Sequence, residues 1–283
     1  MTQLTWLVTG CSSGLGEEFI RGILSRGDKA IATSRGPISR IQKLKEAGAS
    51  TYSLDVSAPK LEVDSIMSLI IQENGGIDVL VNNAGYVENG TLEESSRETI
   101  LAQYETNLFG SIKATQALLP HFRQKRSGTV VFIGSMYGWG GLPSGLPYAS
   151  SKFALEGVHE SLKESVAHLG IKSIIFELGF FRTQVLHPNN FKSRISEIGD
   201  YDALRAGTAE FLQALQGNEP GDPKKGIKVM IDVVKGEGVA AGKAMPERLP
   251  LGVDALDLVR KKCEDTLAIC KEWEHIINST NFD

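Results

Sequence analysis

Short apolar runs recur along the first two thirds of the chain, separated by stretches whose apolar residues fall three or four positions apart. The runs cover residues 4–8, 29–34, 50–54, 77–81, 129–133 and 172–177. Each is too short for a stable helix and is bounded by turn formers or polar residues, so each predicts a strand. The stretches between them predict helices after Gly16 through Arg26 and over residues 38–47, 61–73, 99–122 and 148–169, with Gly75 and Gly76 stopping the third. Within 99–122 the pattern breaks at Asn107-Leu108-Phe109-Gly110. An Asn and a Gly inside a helix cost stability, which gives Asn107 a polar purpose. Strand and helix alternate without an internal repeat or a low-complexity linker. That predicts the α/β class: one domain over residues 1–283, built on a doubly wound parallel sheet with helices on both faces.

After Thr183 the regular alternation loosens. Residues 184–222 include Pro188, Asn189 and Asn190, then helical stretches around 193–198 and 202–216. The segment is long for a loop, carries short helices of its own and follows the last of the six strands, so it predicts a substrate lid. Beyond it the sequence predicts a helix over 225–235, a last short strand within residues 240–251, and a C-terminal helix over 254–277 with apolar positions at Leu256, Val259 and Leu267. The polar residues 278–283 are expected to fray.

Composition narrows the function classes. With 283 residues, 41% hydrophobic content and a formal net charge of -4, the chain has enough apolar material for a large core and no bias toward nucleic acid or disorder. Cys11, Cys263 and Cys270 are too few and too badly spaced for a disulfide framework or a metal site, so free thiols in a reducing compartment are expected. No run approaches 18 apolar residues and the N-terminus leads straight into a strand. The expected address is cytoplasmic, with no membrane partner.

The first strand is followed by Thr9-Gly10-Cys11-Ser12-Ser13-Gly14-Leu15-Gly16. Gly10 allows a tight turn, Gly14 lets backbone approach a ligand, and Gly16 permits close helix packing. The unpaired N–H groups of the following helix can then receive a pyrophosphate. The second strand ends at Ser34-Arg35, where an NAD site usually carries an acid for the ribose hydroxyls. A neutral serine removes repulsion and a guanidinium can grip a 2′-phosphate, which favours NADP(H). Asp55, followed by Val56, either accepts from an adenine amino group or caps its own turn. Asn82-Asn83-Ala84-Gly85 ends the fourth strand: small residues would let backbone pass a cofactor ribose, while the amides tie neighbouring strands together.

The densest chemistry lies between residues 135 and 152. Ser135 follows the fifth strand, placing a hydroxyl where open α/β sheets bind ligands. Tyr148 and Lys152, four apart near the start of a helix, project from one face. An ammonium about 6 Å from a phenol, at an effective dielectric of about 20, favours the phenolate by roughly 3 kcal/mol, or about 2 pK units. Tyr148 is thereby expected to be acidified and to exchange a proton with a carbonyl or alcohol oxygen that Ser135 fixes in place.

Taken together, the turn from Thr9 to Gly16, the Asn82 to Gly85 segment, Asn107, Ser135, Tyr148 and Lys152 resemble the motif set of the short-chain dehydrogenase/reductase family, over roughly residues 4–183. The step of thirteen residues from Ser135 to Tyr148 is the most specific part. The resemblance implies a Rossmann fold of the family's ~250-residue type with an extended C-terminal region, and a catalytic tetrad of Asn107, Ser135, Tyr148 and Lys152. It implies that Lys152 also binds the nicotinamide ribose and that Asn107 holds a water in a proton relay. Leu178-Gly179 stands where the family commonly has Pro-Gly, and Thr183 where a family hydroxyl meets the carboxamide. The ending Arg248-Leu-Pro-Leu-Gly252 and the C-terminal helix are similar to fungal and bacterial members acting on lipophilic or secondary-metabolite ketones and alcohols.

The expectation is therefore an NADP(H)-dependent oxidoreductase interconverting a ketone or aldehyde and an alcohol, with a small-molecule substrate and no metal. The expected cofactor contacts are Gly10, Ser12, Ser13, Gly14, Leu15, Gly16, Ser34, Arg35, Asp55, Val56, Asn83, Ala84, Gly85, Asn107, Tyr148, Lys152, Gly179 and Thr183. The rival readings are a dinucleotide-binding regulator or scaffold without turnover, and a tetrad used for isomerisation or dehydration. Relatives imply a homodimer or homotetramer through the helices around Asn107 and after Tyr148.

Overall fold

A computed structural model of the chain describes residues 2–187, 190–193 and 198–282. Its central sheet has seven strands in the order β3-β2-β1-β4-β6-β7-β9, all parallel. These are β1 (Thr5–Val8), β2 (Lys29–Ser34), β3 (Ser50–Ser53), β4 (Val79–Asn82), β6 (Gly128–Ile133), β7 (Ile171–Leu178) and β9 (Arg248–Leu251). Two strands of three residues, β5 (Val87–Asn89) and β8 (Phe191–Ser193), pair parallel in a separate ribbon. Neither has an apolar run long enough to signal a strand. The helical stretch expected around 193–198 lies largely outside the described residues, and Ser193 itself ends β8.

The inner strands are buried because both faces of the sheet are covered, while the edge strands β3 and β9 stay partly exposed. Trp6 and Val8 point to one face and Leu7 to the other, as the two-residue period of a strand requires. On the first face, α1 (Gly14–Leu24) packs Phe19, Ile20 and Ile23 beside Ile227, Met230 and Ile231 of α8 (Pro223–Lys235). Gly22 lets those two helices meet: a Cβ there would lie 3.0 Å from Ile227 and 3.1 Å from Ile231. The second face is covered by α3 (Lys60–Asn74), α5 (Gly110–Lys125) and α6 (Leu146–Val166). The short α2 (Gln42–Glu46) flanks the β3 edge. The sheet order reverses between β1 and β4, so their C-terminal ends diverge and open a crevice there.

Two local irregularities position the site. The long helix expected over 99–122 is instead α4 (Arg97–Tyr104), one wide π-helical turn (Glu105–Phe109) and then α5. Such turns insert an extra residue and turn a side chain out of register; here that residue set includes Asn107. After β7 the chain crosses the cleft through residues 179–187 and, beyond β8, enters α7 (Asp202–Leu215). The last element, α9 (Val253–Asn278), is anchored only at its beginning, and every residue from 260 through 282 is exposed.

Candidate active site

A cavity of about 310 Å³ runs along the C-terminal ends of the strands. The residues expected to bind cofactor all line it except Gly16. Gly16 instead does what its place in the motif predicts: a Cβ there would lie 2.4 Å from the Gly10 carbonyl oxygen. Gly10 adopts a positive φ of +73° and a Cβ on it would meet the Ala84 Cα at 2.7 Å, so two turns that must touch exclude side chains. Asn83 closes the same junction by donating from Nδ2 to the Thr9 and Gly10 carbonyls at 2.8 and 3.1 Å. The Thr9 hydroxyl accepts from the Asn83 and Ala84 backbone N–H groups, both at 3.0 Å.

At the far end of β2 the Ser34 hydroxyl is buried with no hydrogen-bond partner among the described residues. Arg35 follows it. Arg40, which sequence reasoning passed over inside a polar stretch, reaches back to donate to the Arg35 carbonyl at 2.9 Å and to the Ser12 hydroxyl at 3.5 Å. A neutral buried hydroxyl and two guanidinium groups therefore share this corner of the cavity. Asp55 lines the wall nearby, but its Oδ1 accepts from the Ser57 N–H at 2.9 Å and from the Ser57 hydroxyl, so it caps its own turn as one of the two expected readings had it.

Asn107, Ser135, Tyr148 and Lys152 meet at the opposite end. Asn107 uses its amide as a clamp: Oδ1 accepts from the Tyr86 N–H at 3.1 Å and Nδ2 donates to the Tyr86 carbonyl at 3.0 Å. Ser135 follows β6, is buried, and caps a turn by accepting from the Tyr137 N–H at 3.2 Å. Lys152 donates to the Ile133 carbonyl at 2.7 Å and stands 5.7 Å from the centre of the Tyr148 ring.

The electrostatics differ from expectation at one point. Burial pushes the Tyr148 phenol above its ordinary value, and its interaction with Ser135 pulls it only partly back. Tyr148 as a residue is partly open to the cleft, yet protein surrounds its oxygen closely enough for desolvation to dominate. The acidification expected from Lys152 is thus outweighed by the desolvation of the phenol. The ammonium lies over the ring and commits a proton to a backbone carbonyl, and burial pushes that ammonium down to about 8, against the upward pull of Glu156. A carboxylate layer stands behind it. Glu156, one turn after Lys152, is pushed up to about 8 by burial and by neighbouring Glu177. Arg248 stands 3.4 Å from Glu156 and 3.5 Å from Glu177 and rests on the Trp139 ring at 4.7 Å. In sequence Glu156 looks like an ordinary polar helix position, its only clue being the four-residue step from Lys152.

Leu178-Gly179 also finds its explanation. Gly179 donates to the Leu251 carbonyl at 2.9 Å, and Asp254, at the start of α9, accepts from the Phe180 N–H at 2.7 Å. A Cβ at Gly179 would lie 1.9 Å from the Asp254 carboxylate. The turn that a proline would stiffen by its ring is fixed here by a carboxylate from a distant element. Thr183 faces Gly14 across the cleft.

Beyond Tyr148 the wall is aromatic. Edge-on contacts link Tyr148 to Tyr137 at 6.4 Å, Tyr137 to Phe180 at 6.2 Å, and Phe180 to Phe211 of α7 at 5.8 Å. Tyr137 and Phe211 were not singled out in the sequence, because nothing in their spacing separates a pocket ring from a core ring.

The model of the family described as short chain dehydrogenase matches residues 5–193. The chain belongs to the short-chain dehydrogenase/reductase family. It is similar to Oxidoreductase BOA17 of Botryotinia fuckeliana, with 32% identity over 279 residues and 98% of each chain covered. Among solved structures it resembles a short-chain dehydrogenase from Streptomyces avermitilis, with a TM-score of 0.88, 32% identity and 99% of both chains covered. A more distant family member, from Burkholderia phymatum and in complex with NAD, shares the fold at a TM-score of 0.78 and 19% identity, covering 94% of this chain and 95% of its own. The family assignment makes the protein an oxidoreductase, and the seven-stranded parallel sheet is the fold those neighbours share.

Proposed function

We infer that this short-chain dehydrogenase/reductase interconverts a ketone or aldehyde and an alcohol with NADP(H), on a lipophilic substrate. The observation that carries the reading is the meeting of Asn107, Ser135, Tyr148 and Lys152 at one end of a cleft whose other end is the glycine turn before α1. The residues fit a dinucleotide. A Cβ at Gly14 would meet nothing nearer than the Thr183 side chain at 3.6 Å, the helix beginning there directs free N–H groups at the cleft, and the buried Ser34 hydroxyl lacks a protein partner. Bound there, the dinucleotide supplies or accepts the hydride.

The chain's own residues handle the oxygen and its proton. The Ser135 hydroxyl positions the substrate oxygen, and Tyr148 gives it a proton in reduction or takes one in oxidation. Lys152 places positive charge beside the phenol and is itself held by Ile133. Asn107 locks the segment that follows β4 through Tyr86, and its place in the tetrad belongs to this proposal. Ser34, Arg35 and Arg40 support NADP(H), since two cations and a neutral hydroxyl match a 2′-phosphate better than ribose hydroxyls. The aromatic wall and residues 184–222, as a substrate lid, support an apolar substrate. Exposed Leu101, Phe109 and Phe153 on α4, the π turn and α6 support assembly of two or four copies through those helices.

The test is a panel of apolar ketones and alcohols incubated with NADPH or NADP and followed by the absorbance of the reduced nicotinamide. Turnover that disappears in Tyr148→Phe supports the reading. Cofactor binding without any absorbance change across the panel would point to the regulator or scaffold, and conversion of substrate without net cofactor change to isomerisation or dehydration.

A further inference from the structure

The helix α9 leaves the body after its first turns, and from residue 260 onward each of its described side chains is exposed. Its sequence is nevertheless that of a helix with something to cover. Leu256, Cys263, Cys270 and Ile277 recur at steps of seven, and Val259 and Trp273 fall three residues after the first and third of them, which places the six on one stripe. Leu256, Trp273 and Ile277 are 43%, 49% and 51% exposed, and Leu267, flanking the stripe at mid-helix, is 69% exposed. The structural match to the Streptomyces avermitilis protein covers 99% of both chains, so the residues of this helix fall within the matched length.

We propose that this stripe docks on a second copy of the same chain, with the two α9 helices antiparallel and their twofold axis near Leu267. Charge selects that arrangement. Arg260 and Glu274 lie on the same edge of the stripe, seven residues to either side of Leu267. An antiparallel pair with its axis there sets each Arg260 beside the partner's Glu274, twice, with the two Leu267 side chains meeting between them. In an antiparallel pair this edge faces its own copy; in a parallel pair it faces the other edge, where Lys262 and Ile269 stand and Glu274 gains no cation. The same register brings Leu256 level with the end of the partner's helix and Cys263 within about one residue of the partner's Cys270. A lipid surface fits less well. Among the described residues no helix is long and apolar enough to cross a membrane, and the polar face of α9 carries more carboxylates than cations, the reverse of what anionic headgroups attract.

Two exposed thiols make the arrangement directly testable in the full-length protein. Cys263→Ser and Cys270→Ser proteins, each treated alone with a short bis-maleimide, should stay at monomer mass on a denaturing gel. A mixture of the two should give a covalent dimer joining Cys270 of one copy to Cys263 of the other. Cross-linking within either single variant would mean a parallel pair and overturn the proposal, and so would its absence from the mixture. Independently, sedimentation of Leu267→Glu should show the assembly mass halved relative to wild type, and Arg260→Glu should do the same. The charge-exchanged Arg260→Glu/Glu274→Arg protein should recover the wild-type mass, a rescue that a merely unfolded helix would not give. An assembly mass indifferent to Leu267→Glu overturns the pairing, and if that same variant releases the protein from neutral phosphatidylcholine vesicles, the stripe's occupant is lipid.

Discussion

The two walls of the cleft are built from different materials. On the side proposed to hold the cofactor the backbone itself makes the surface: Gly10 and Gly16 hold two turns at distances no side chain would tolerate, and Thr9 and Asn83 tie the ends of β1 and β4 together. On the side proposed for the substrate the surface is a row of rings, Tyr137, Phe180 and Phe211, whose contacts are edge-on and around 6 Å. Backbone walls demand one residue type at each position. A ring wall accepts any bulky apolar residue that fills the space, so it can change its selectivity without endangering the fold.

Tyr148, at the junction of the two walls, is where the comparison breaks most sharply. Removing its hydroxyl in Tyr148→Phe should lower kcat by roughly 10²–10⁴-fold, the usual contribution of a positioned acid or base. Binding of NADPH, read by fluorescence titration, should stay within about threefold. Wild-type turnover in the variant would remove Tyr148 from the proposed chemistry. Next comes Gly10→Ala, where a methyl group meets backbone 2.7 Å away at a positive φ. The expected cost is about 1–3 kcal/mol of stability, with NADPH affinity reduced by at least tenfold. Phe211→Ala is its counterpart on the other wall. Losing one partly exposed ring from the pocket should raise KM for an apolar substrate by about tenfold while leaving cofactor affinity and Tm unchanged. Equal damage to both ligands from Phe211→Ala would show that the two walls are one mechanical unit.

The same contrast governs what could be read from the chain before folding. The strand and helix alternation was legible because buried parallel strands are continuously apolar, and the cofactor wall because close backbone approach forces glycine at fixed spacing. That Ser135, Tyr148 and Lys152 share the cleft was legible because a strand end and a helix start fix where they must stand. Arg40, Asp254 and Glu156 were not. Each acts through a contact with a distant segment, on Ser12, on the turn at Gly179 and on the carboxylate layer around Glu177, and a local pattern cannot record such a partner. The strands β5 and β8 escaped for a related reason: with three residues each, pairing rather than composition defines them. The direction of the Tyr148 shift is not legible in the chain, because the spacing shows the neighbouring cation but not the desolvation that accompanies burial.

Cofactor choice tests the polar corner of the backbone wall. Reversing one charge in Arg35→Asp should shift the ratio of kcat/KM for NADPH over NADH by about 10–100-fold toward NADH, since a charge-assisted contact contributes roughly 1.5–3 kcal/mol. Arg40→Ala should give a smaller shift in the same direction, because Arg40 is braced on Arg35 and Ser12. A preference unchanged by both substitutions would leave Ser34 as the sole basis of the NADP(H) reading.

The smallest effect lies behind both walls, at Glu156. Burial, with Glu177 beside it, pushes its carboxyl from 4.5 up to about 8. Protons therefore leave the unfolded chain first, and the stability this group contributes, complete below pH 4.5, drains away as the pH rises to about 8. Lys152 works from the other side. Lowered from 10.5 to about 8, it contributes fully above pH 10.5 and loses that contribution as the pH falls toward 8. The two effects together place a dip in Tm near pH 8. Glu156→Gln keeps the shape of the side chain and removes the acidic limb, and the further lowering of Lys152 that it causes acts in the same direction, so the variant's Tm should gain on wild type progressively between pH 4.5 and 8. His159, pushed down from 6.5 to about 4 by burial, loses its contribution as the pH falls through that range and so overlaps the lower half of the window, but it is common to both proteins and largely cancels in that difference. The substitution should also reach the reaction. Without the Glu156 charge the Lys152 ammonium loses its upward pull, and the alkaline limb of the kcat profile should move to lower pH by a fraction of a unit. A substitution that merely loosened the packing would lower Tm evenly at every pH and leave that limb where it was, and such a result would separate the carboxylate layer from the chemistry in front of it.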